Sequence, residues 1–138
     1  MTQPCPFCSL SLDNVVASST HSLAIRDAYP VSEGHSLVVP KVHVLSLVHL
    51  PGTAQSDLLR LAFKVRQDLQ AELSPDGFTI GMNDGEAAGQ TVPHAHIHVI
   101  PRWVGDVPDP RGGIRWVLPE KAAYWVDQRK AQGDSPES

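Results

Sequence analysis

The chain has 138 residues, 41% of them apolar, and a formal charge of −4. That length supports one compact domain with a true core and is too short for two. The acidic balance speaks against a general nucleic-acid binder driven by a basic surface, while a small anionic ligand held by local donors stays open. No apolar run is long enough to span a bilayer, and Met1-Thr2-Gln3-Pro4 lacks a signal-peptide pattern. The expectation is a cytoplasmic protein with no membrane partner.

Along the chain, the two cysteines come first, as Cys5-Pro6-Phe7-Cys8. In a reducing compartment this spacing suggests a metal half-site or a redox dithiol more than a structural disulfide. Ser22 to Arg26 and Ser36 to Val39 read as strands by their apolar and β-branched content. From Ala54 to Leu73, apolar residues such as Leu58, Leu61, Ala62, Val65 and Leu69 recur at helical spacing, which predicts an amphipathic helix. Ser74-Pro75-Asp76-Gly77 ends it. Phe78 to Met82, between Asp76-Gly77 and Asn83-Asp84-Gly85, predicts a third strand, and Thr91 to Pro101 a fourth. After Arg102 the chain turns irregular, then offers Ile114 to Leu118 and a short helix from Pro119 or Glu120. Residues 132–138 are polar and predict a frayed tail. Strands, one long helix and further strands predict an α+β fold with an antiparallel sheet.

The fourth strand carries His94, His96 and His98 at every second position. On an extended strand these rings share one face, while Ala95, Ile97 and Val99 turn to the other. Clustered imidazoles offer metal binding, proton transfer or attack on an electrophile such as phosphorus. Neighbouring histidines of the row lie about 7 Å apart at the backbone and the outer two about 13 Å. His94 and His96 could share a metal with a carboxylate, but three rings on a straight strand reach one ion poorly. The row is expected to divide its labour.

His94-Ala95-His96-Ile97-His98-Val99-Ile100 resembles the signature of the histidine triad (HIT) family, in which three histidines alternate with apolar residues. The likeness extends to Asn83 to Pro93 just before it and to Gly34-His35-Ser36-Leu37-Val38-Val39-Pro40-Lys41. It implies a HIT-like fold with an antiparallel sheet of about five strands, one long helix and a short C-terminal helix. Residues 1–131 would form a single domain, with its core at 5–102 and an extension at 103–131. The implied activity is that of a nucleotidyl hydrolase or transferase cleaving at the α-phosphorus of a nucleoside phosphate derivative. Gly89-Gln90-Thr91 and the Trp- and Arg-containing extension look more like the diadenosine-polyphosphate (fragile histidine triad-like) side. The alternatives are a nucleoside phosphoramidase and a nucleotide-binding regulatory module with little turnover.

By resemblance, His96 attacks phosphorus and His98 bonds the phosphoryl oxygens, with His94 and His35 completing the cluster. Gln90 and Thr91 would contact the phosphates, aided by backbone donors around Gly89. Asn83 would lie near the phosphate or leaving group, and Asp27 would bond the ribose hydroxyls. Cys5, Cys8, His43 and His94 match the positions that zinc-containing HIT proteins use, which implies a structural zinc and no organic cofactor. The partners expected are a small nucleotide substrate and a second copy in a homodimer. Arg111 and Arg115 either reach distal phosphates or belong to a segment that packs Trp103, Trp116 and Trp125 onto the sheet or a partner. Packing is the favoured of the two.

Overall fold

The computed structural model describes residues 5–126. Strands Val15–Ser18 (β1), Ser22–Arg26 (β2), Ser36–Pro40 (β3), Gly77–Gly81 (β4) and Ile97–Arg102 (β5) surround one long helix in sequence, Gly52–Leu73 (α1). They form a five-stranded sheet in the order β1-β2-β3-β5-β4, with every neighbouring pair antiparallel. The sheet and the long helix are those expected from the sequence.

Period-two alternation sorts the side chains of the central strands onto two faces. Ala24, Val38, Ile97 and Val99 meet Leu58, Leu61, Ala62, Val65 and Leu69 of α1 in the main core. Ile25, Leu37 and Val39 turn the other way, under Phe7, Leu10, Val15 and Leu23. The register pairs Ile25 with Leu37 and Leu37 with His98, so these three side chains run in line across the face away from the helix. That row is the floor on which the histidines stand.

Two local devices set the sheet against α1. The helix stops at Ser74, which takes a left-handed conformation (φ 51°) and sends its N–H to the Gln70 carbonyl. Gly34 holds φ +85° where β3 begins, and a Cβ there would lie 2.7 Å from Leu73 Cδ1 and 2.9 Å from Leu69 Cδ2. Only glycine permits both the turn and the close approach, and it delivers His35 to the inner face.

The structure differs from the sequence reading at three places. β1 had no sequence signal: it is a four-residue edge strand with alternate residues exposed, and its register breaks between Val15 and Ala17. The histidine strand starts at Ile97, not Thr91. Pro93 has no N–H for a ladder, and the His94 and Ala95 N–H groups bond the Val92 and Val44 carbonyls instead. Ile114 to Leu118 is mostly a 3₁₀ turn, Gly113–Val117, followed by a short helix, Pro119–Ala122 (α2). The expected tail at 132–138 lies outside the described residues.

Contacts separate two compact units, one ending at Trp103 and one beginning at Val104. Within the second, Arg111 pairs with Asp109 at 2.9 Å and stacks 4.3 Å over the Trp125 ring. Arg115 donates to the Ala122 and Lys121 carbonyls and lies 4.8 Å over Tyr124. Both guanidiniums are engaged by groups of this unit. Among the described residues, no helix is long and apolar enough to cross a membrane.

Candidate active site and metal centre

The three histidines of the row divide into separate assemblies. His94 is fully buried and turns toward the N-terminal turn, where the Cys8 N–H bonds the Cys5 carbonyl. Its Nδ1 lies 3.4 Å from Cys5 Sγ and 3.6 Å from Cys8 Sγ, and His43 Nδ1 lies 3.2 Å from Cys8 Sγ. All four donor atoms fall within 4.8 Å of one another. Donors 2.0–2.3 Å from a tetrahedral ion stand roughly 3.3–3.8 Å apart, so this set fits such an ion. The second nitrogen of His94 supports the fit: Nε2–H donates to the Pro40 carbonyl at 2.9 Å, which leaves the Nδ1 lone pair facing the sulfurs.

His96 takes the opposite tautomer. Its Nδ1 lies 2.8 Å from the His94 carbonyl oxygen, which can only accept, so the proton resides on Nδ1. Nε2 therefore keeps its lone pair, and the ring lines an open cleft of about 820 Å³. His94 serves this ring through its backbone, while its side chain belongs to the thiol cluster.

His35 and His98 form a third arrangement. The Val31 N–H donates to His35 Nδ1 at 3.1 Å, which places the His35 proton on Nε2. That atom lies 3.0 Å from His98 Nδ1 and 3.4 Å from Asp27 Oδ2. His98 Nδ1 accepts the shorter contact, so His98 carries its own proton on Nε2 as a donor. Asp27, His35 and His98 also stand close enough together for a metal. Here the Val31 N–H disfavours one, because coordination at His35 Nε2 would push a proton onto the nitrogen that Val31 already faces. Donor chemistry thus separates two clusters of similar size.

Burial pushes the His35 and His98 imidazoles below the usual histidine value of 6.5. For His98 the neighbouring His96 and His35 add to the depression, and for both residues the Asp27 charge opposes it. The sign for stability follows. Below about pH 6.5 the unfolded chain binds protons that these folded imidazoles refuse, so stability is full above that value and falls as pH drops through the depressed folded values. Urea midpoints measured between pH 7 and pH 5 are expected to decline, and less steeply in a His35→Gln variant. An unchanged or rising midpoint would contradict the neutral cluster.

The cleft joins an apolar wall of Phe7, Leu10, Ile25 and Leu37 to a polar end with His96, His98, Asp27, Asn83, Gly89 and Thr91. Asp27 follows β2; its Oδ1 accepts from the Tyr29 N–H at 2.9 Å. Among the described residues, the Asn83 carboxamide and both Thr91 donors bond no protein group, which leaves them available to a ligand. Gln90 differs from expectation. Its Oε1 accepts from the Gly85 N–H, and its Nε2 donates to the Leu45 and Val92 carbonyls. It is a strut of the loop and not a wall of the cleft. The Gly89 and Gln90 N–H groups are likewise spent on the Glu86 and Gly85 carbonyls, so the backbone donors expected near Gly89 do not face outward unpaired. Sequence reasoning missed Phe7 as a wall residue; its position between the two thiols was the available signal.

The cleft thus brings together a His96 ring whose proton sits on Nδ1 and a His98 ring whose proton sits on Nε2, the arrangement of imidazoles that the triad signature implies. The chain belongs to the histidine triad family: residues 11–104 match the family's HIT domain. It is 40% identical over 101 residues to the nitrilase and fragile histidine triad fusion protein NitFhit of Caenorhabditis elegans, covering 73% of this chain and 23% of that one. The crystal structure of that protein superposes with a TM-score of 0.69 at 36% identity, covering 86% of this chain and 28% of that chain. The chain thus spans about a quarter of the length of that relative. It is 33% identical over 102 residues to the adenosine 5′-monophosphoramidase hnt1 of Schizosaccharomyces pombe, covering 71% of this chain and 74% of the other. A zinc-bound histidine triad family protein of Mycobacterium smegmatis is 31% identical with a TM-score of 0.62, covering 83% and 86% of the two chains.

Proposed function

We propose that the protein hydrolyses dinucleoside polyphosphates, such as diadenosine tetraphosphate, at the α-phosphorus through a nucleotidyl-His96 intermediate. One observation carries this reading: the His94 carbonyl holds the His96 proton on Nδ1 and leaves Nε2 as a free lone pair on the cleft. Nε2 attacks the α-phosphorus in line, forming a P–N bond, and the bond to the bridging oxygen breaks with its electron pair leaving on the departing nucleotide. Water then attacks the same phosphorus. The P–N bond breaks, its pair returns to Nε2, and a nucleoside monophosphate departs.

His98 donates from Nε2 to the phosphoryl oxygens, fixed in that tautomer by the chain running from Val31 through His35. Asn83 and Thr91 supply further donors, and Asp27 accepts from the ribose hydroxyls with the lone pairs that Tyr29 and His35 do not use. Gln90 and Gly89 shape the loop that presents Thr91. Cys5, Cys8, His43 and His94 would hold zinc as a structural clamp, because four protein donors would complete a tetrahedral site and leave no position for substrate. A homodimer joined through a sheet edge fits the strand order, because β4 has a neighbour on one side only within the chain.

A second reading, nucleoside phosphoramidase, draws support from the similarity to the fission-yeast enzyme. Both readings share the His96 chemistry and differ in leaving group. Purified protein is to be incubated with diadenosine tri- and tetraphosphate and with adenosine phosphoramidates, and the products separated by chromatography. The polyphosphates are expected to be cleaved with the higher kcat/KM, releasing a monophosphate. Cleavage of phosphoramidates alone would replace the substrate class, and no turnover of either would favour a regulatory binding module.

A further inference from the structure

Phe7 is the residue that touches both halves of the site. It sits between the two thiol ligands in sequence, so whatever clamps Cys5 and Cys8 also fixes its backbone. Its ring meets His94 edge-on at 5.7 Å between centroids and meets His96 edge-on at 5.2 Å, with planes 75° apart. It also lines the cleft with Pro6 and Leu10. No other described residue makes ring contact with both an imidazole of the thiol cluster and the nucleophilic imidazole.

The segment around it has little else to hold it. Cys5 to Leu10 forms a turn with no strand pairing; its anchors are one backbone bond, Cys8 to Cys5, the weak thiol contacts to His94 and His43, and the packing of Phe7 and Leu10 against Ile25, Leu37 and Val39. A metal bound by Cys5 and Cys8 together with His43 and His94 would tie this turn to the ends of β3 and β5. Without the metal the turn is held by weak thiol–imidazole contacts and two partly buried apolar side chains, and local openings of such segments cost little.

His96 in turn has one hydrogen bond fixing its ring, to the His94 carbonyl, which sets the tautomer and one ring edge. Rotation about that contact is limited from the sides, by His98 at 5.1 Å and by Phe7 at 5.2 Å. In-line attack demands that Nε2 hold its direction closely, and displacements near 1 Å cost on the order of a hundredfold in rate.

We propose that Phe7 is a positioning residue that couples occupancy of the Cys5/Cys8/His43/His94 metal site to the orientation of the nucleophilic His96. Metal binding orders the turn, the turn seats Phe7, and Phe7 holds the ring in its attacking pose. This rests on the proposed zinc site and on His96 as nucleophile, and adds that metal acts on the chemistry through one aromatic side chain.

The test is a cycle of two perturbations, metal removal and Phe7→Ala, on the full chain. Zinc content is measured first for wild type and variant, and kcat, KM and the ¹⁵N signals of the His96 ring are then read in all four states. Chelation of the wild type is expected to lower kcat/KM about tenfold, mostly through kcat, and zinc-loaded Phe7→Ala to lose a similar factor while still binding zinc. Chelating the variant should change kcat by less than about twofold, because the coupling element is already gone. The His96 ring signals should broaden or shift on chelation of the wild type and already be so in the loaded variant. Phe7→Leu, which keeps the apolar wall, should fold normally and recover part of the lost kcat. A loaded variant that loses as much as wild type on chelation would overturn the coupling alone. A wild type that takes up no zinc would sink the zinc reading together with the coupling, and unchanged turnover of loaded Phe7→Ala would exclude Phe7 from positioning.

Discussion

His96→Asn is expected to lower turnover by about 10⁴-fold or more while nucleotide affinity changes by only a few-fold. The asparagine carboxamide keeps a polar group of similar reach but has no basic lone pair able to form a P–N bond. The cleft that binds the nucleotide is built mostly by other residues: Ile25 and Leu37 on the floor, Asp27 at its polar end, and Asn83 and Thr91 beyond. Loss of kcat with retained binding is the pattern of a group that acts in the chemical step. Quenched-flow turnover together with calorimetric binding of a nucleoside monophosphate reads both quantities. Loss of binding in step with turnover would instead mean that the ring supports the cleft.

Cys8→Ser is expected to reduce zinc content to near zero and to lower the melting temperature by about 10–20 °C, without abolishing turnover. An ion that binds the folded chain alone stabilises it by an amount set by its excess over the dissociation constant, about 4 kcal/mol at a thousandfold excess. For a chain of this size, between the smaller and larger domains for which the slope is known, each kcal/mol moves the melting point by roughly 3–5 °C. The main core of β2, β3, β5 and α1 needs no metal, so the variant should still fold. Differential scanning calorimetry and metal analysis check the pair of outcomes. Immediate and complete loss of activity with an unchanged melting point would point to a catalytic ion.

The parts of this fold that were legible in the sequence are those where one face is buried and the other wet. Leu58, Leu61, Val65 and Leu69 mark α1 because all four enter the core on one stripe. β3, buried at every position, was marked by Leu37-Val38-Val39 shortly after Gly34. β1 escaped notice because it is short, half-exposed and bulged, so period two barely registers. The start of the histidine strand was misplaced because His94 and His96 keep the alternation of a strand while the His94 and Ala95 N–H groups bond loop carbonyls.

In the site, residue types and spacing pointed to the imidazole row and the thiol pair, but tautomers are set by carbonyls and amides that leave no mark in the sequence. The Pro40 and His94 carbonyls and the Val31 amide decide which nitrogen of His94, His96 and His35 is free. Gln90 shows the reverse case: a side chain suited to phosphate is taken up by three backbone groups brought near only by the fold.

Acid-free chemical quenching of the enzyme during turnover of a labelled dinucleoside polyphosphate, followed by alkaline-stable peptide mapping, tests the central claim most directly. The account predicts one nucleotidyl group attached through a P–N bond to the peptide carrying His96, absent in His96→Asn. Label on any other side chain, or steady-state turnover with no adduct in a pre-steady-state burst experiment that resolves both steps, would contradict it.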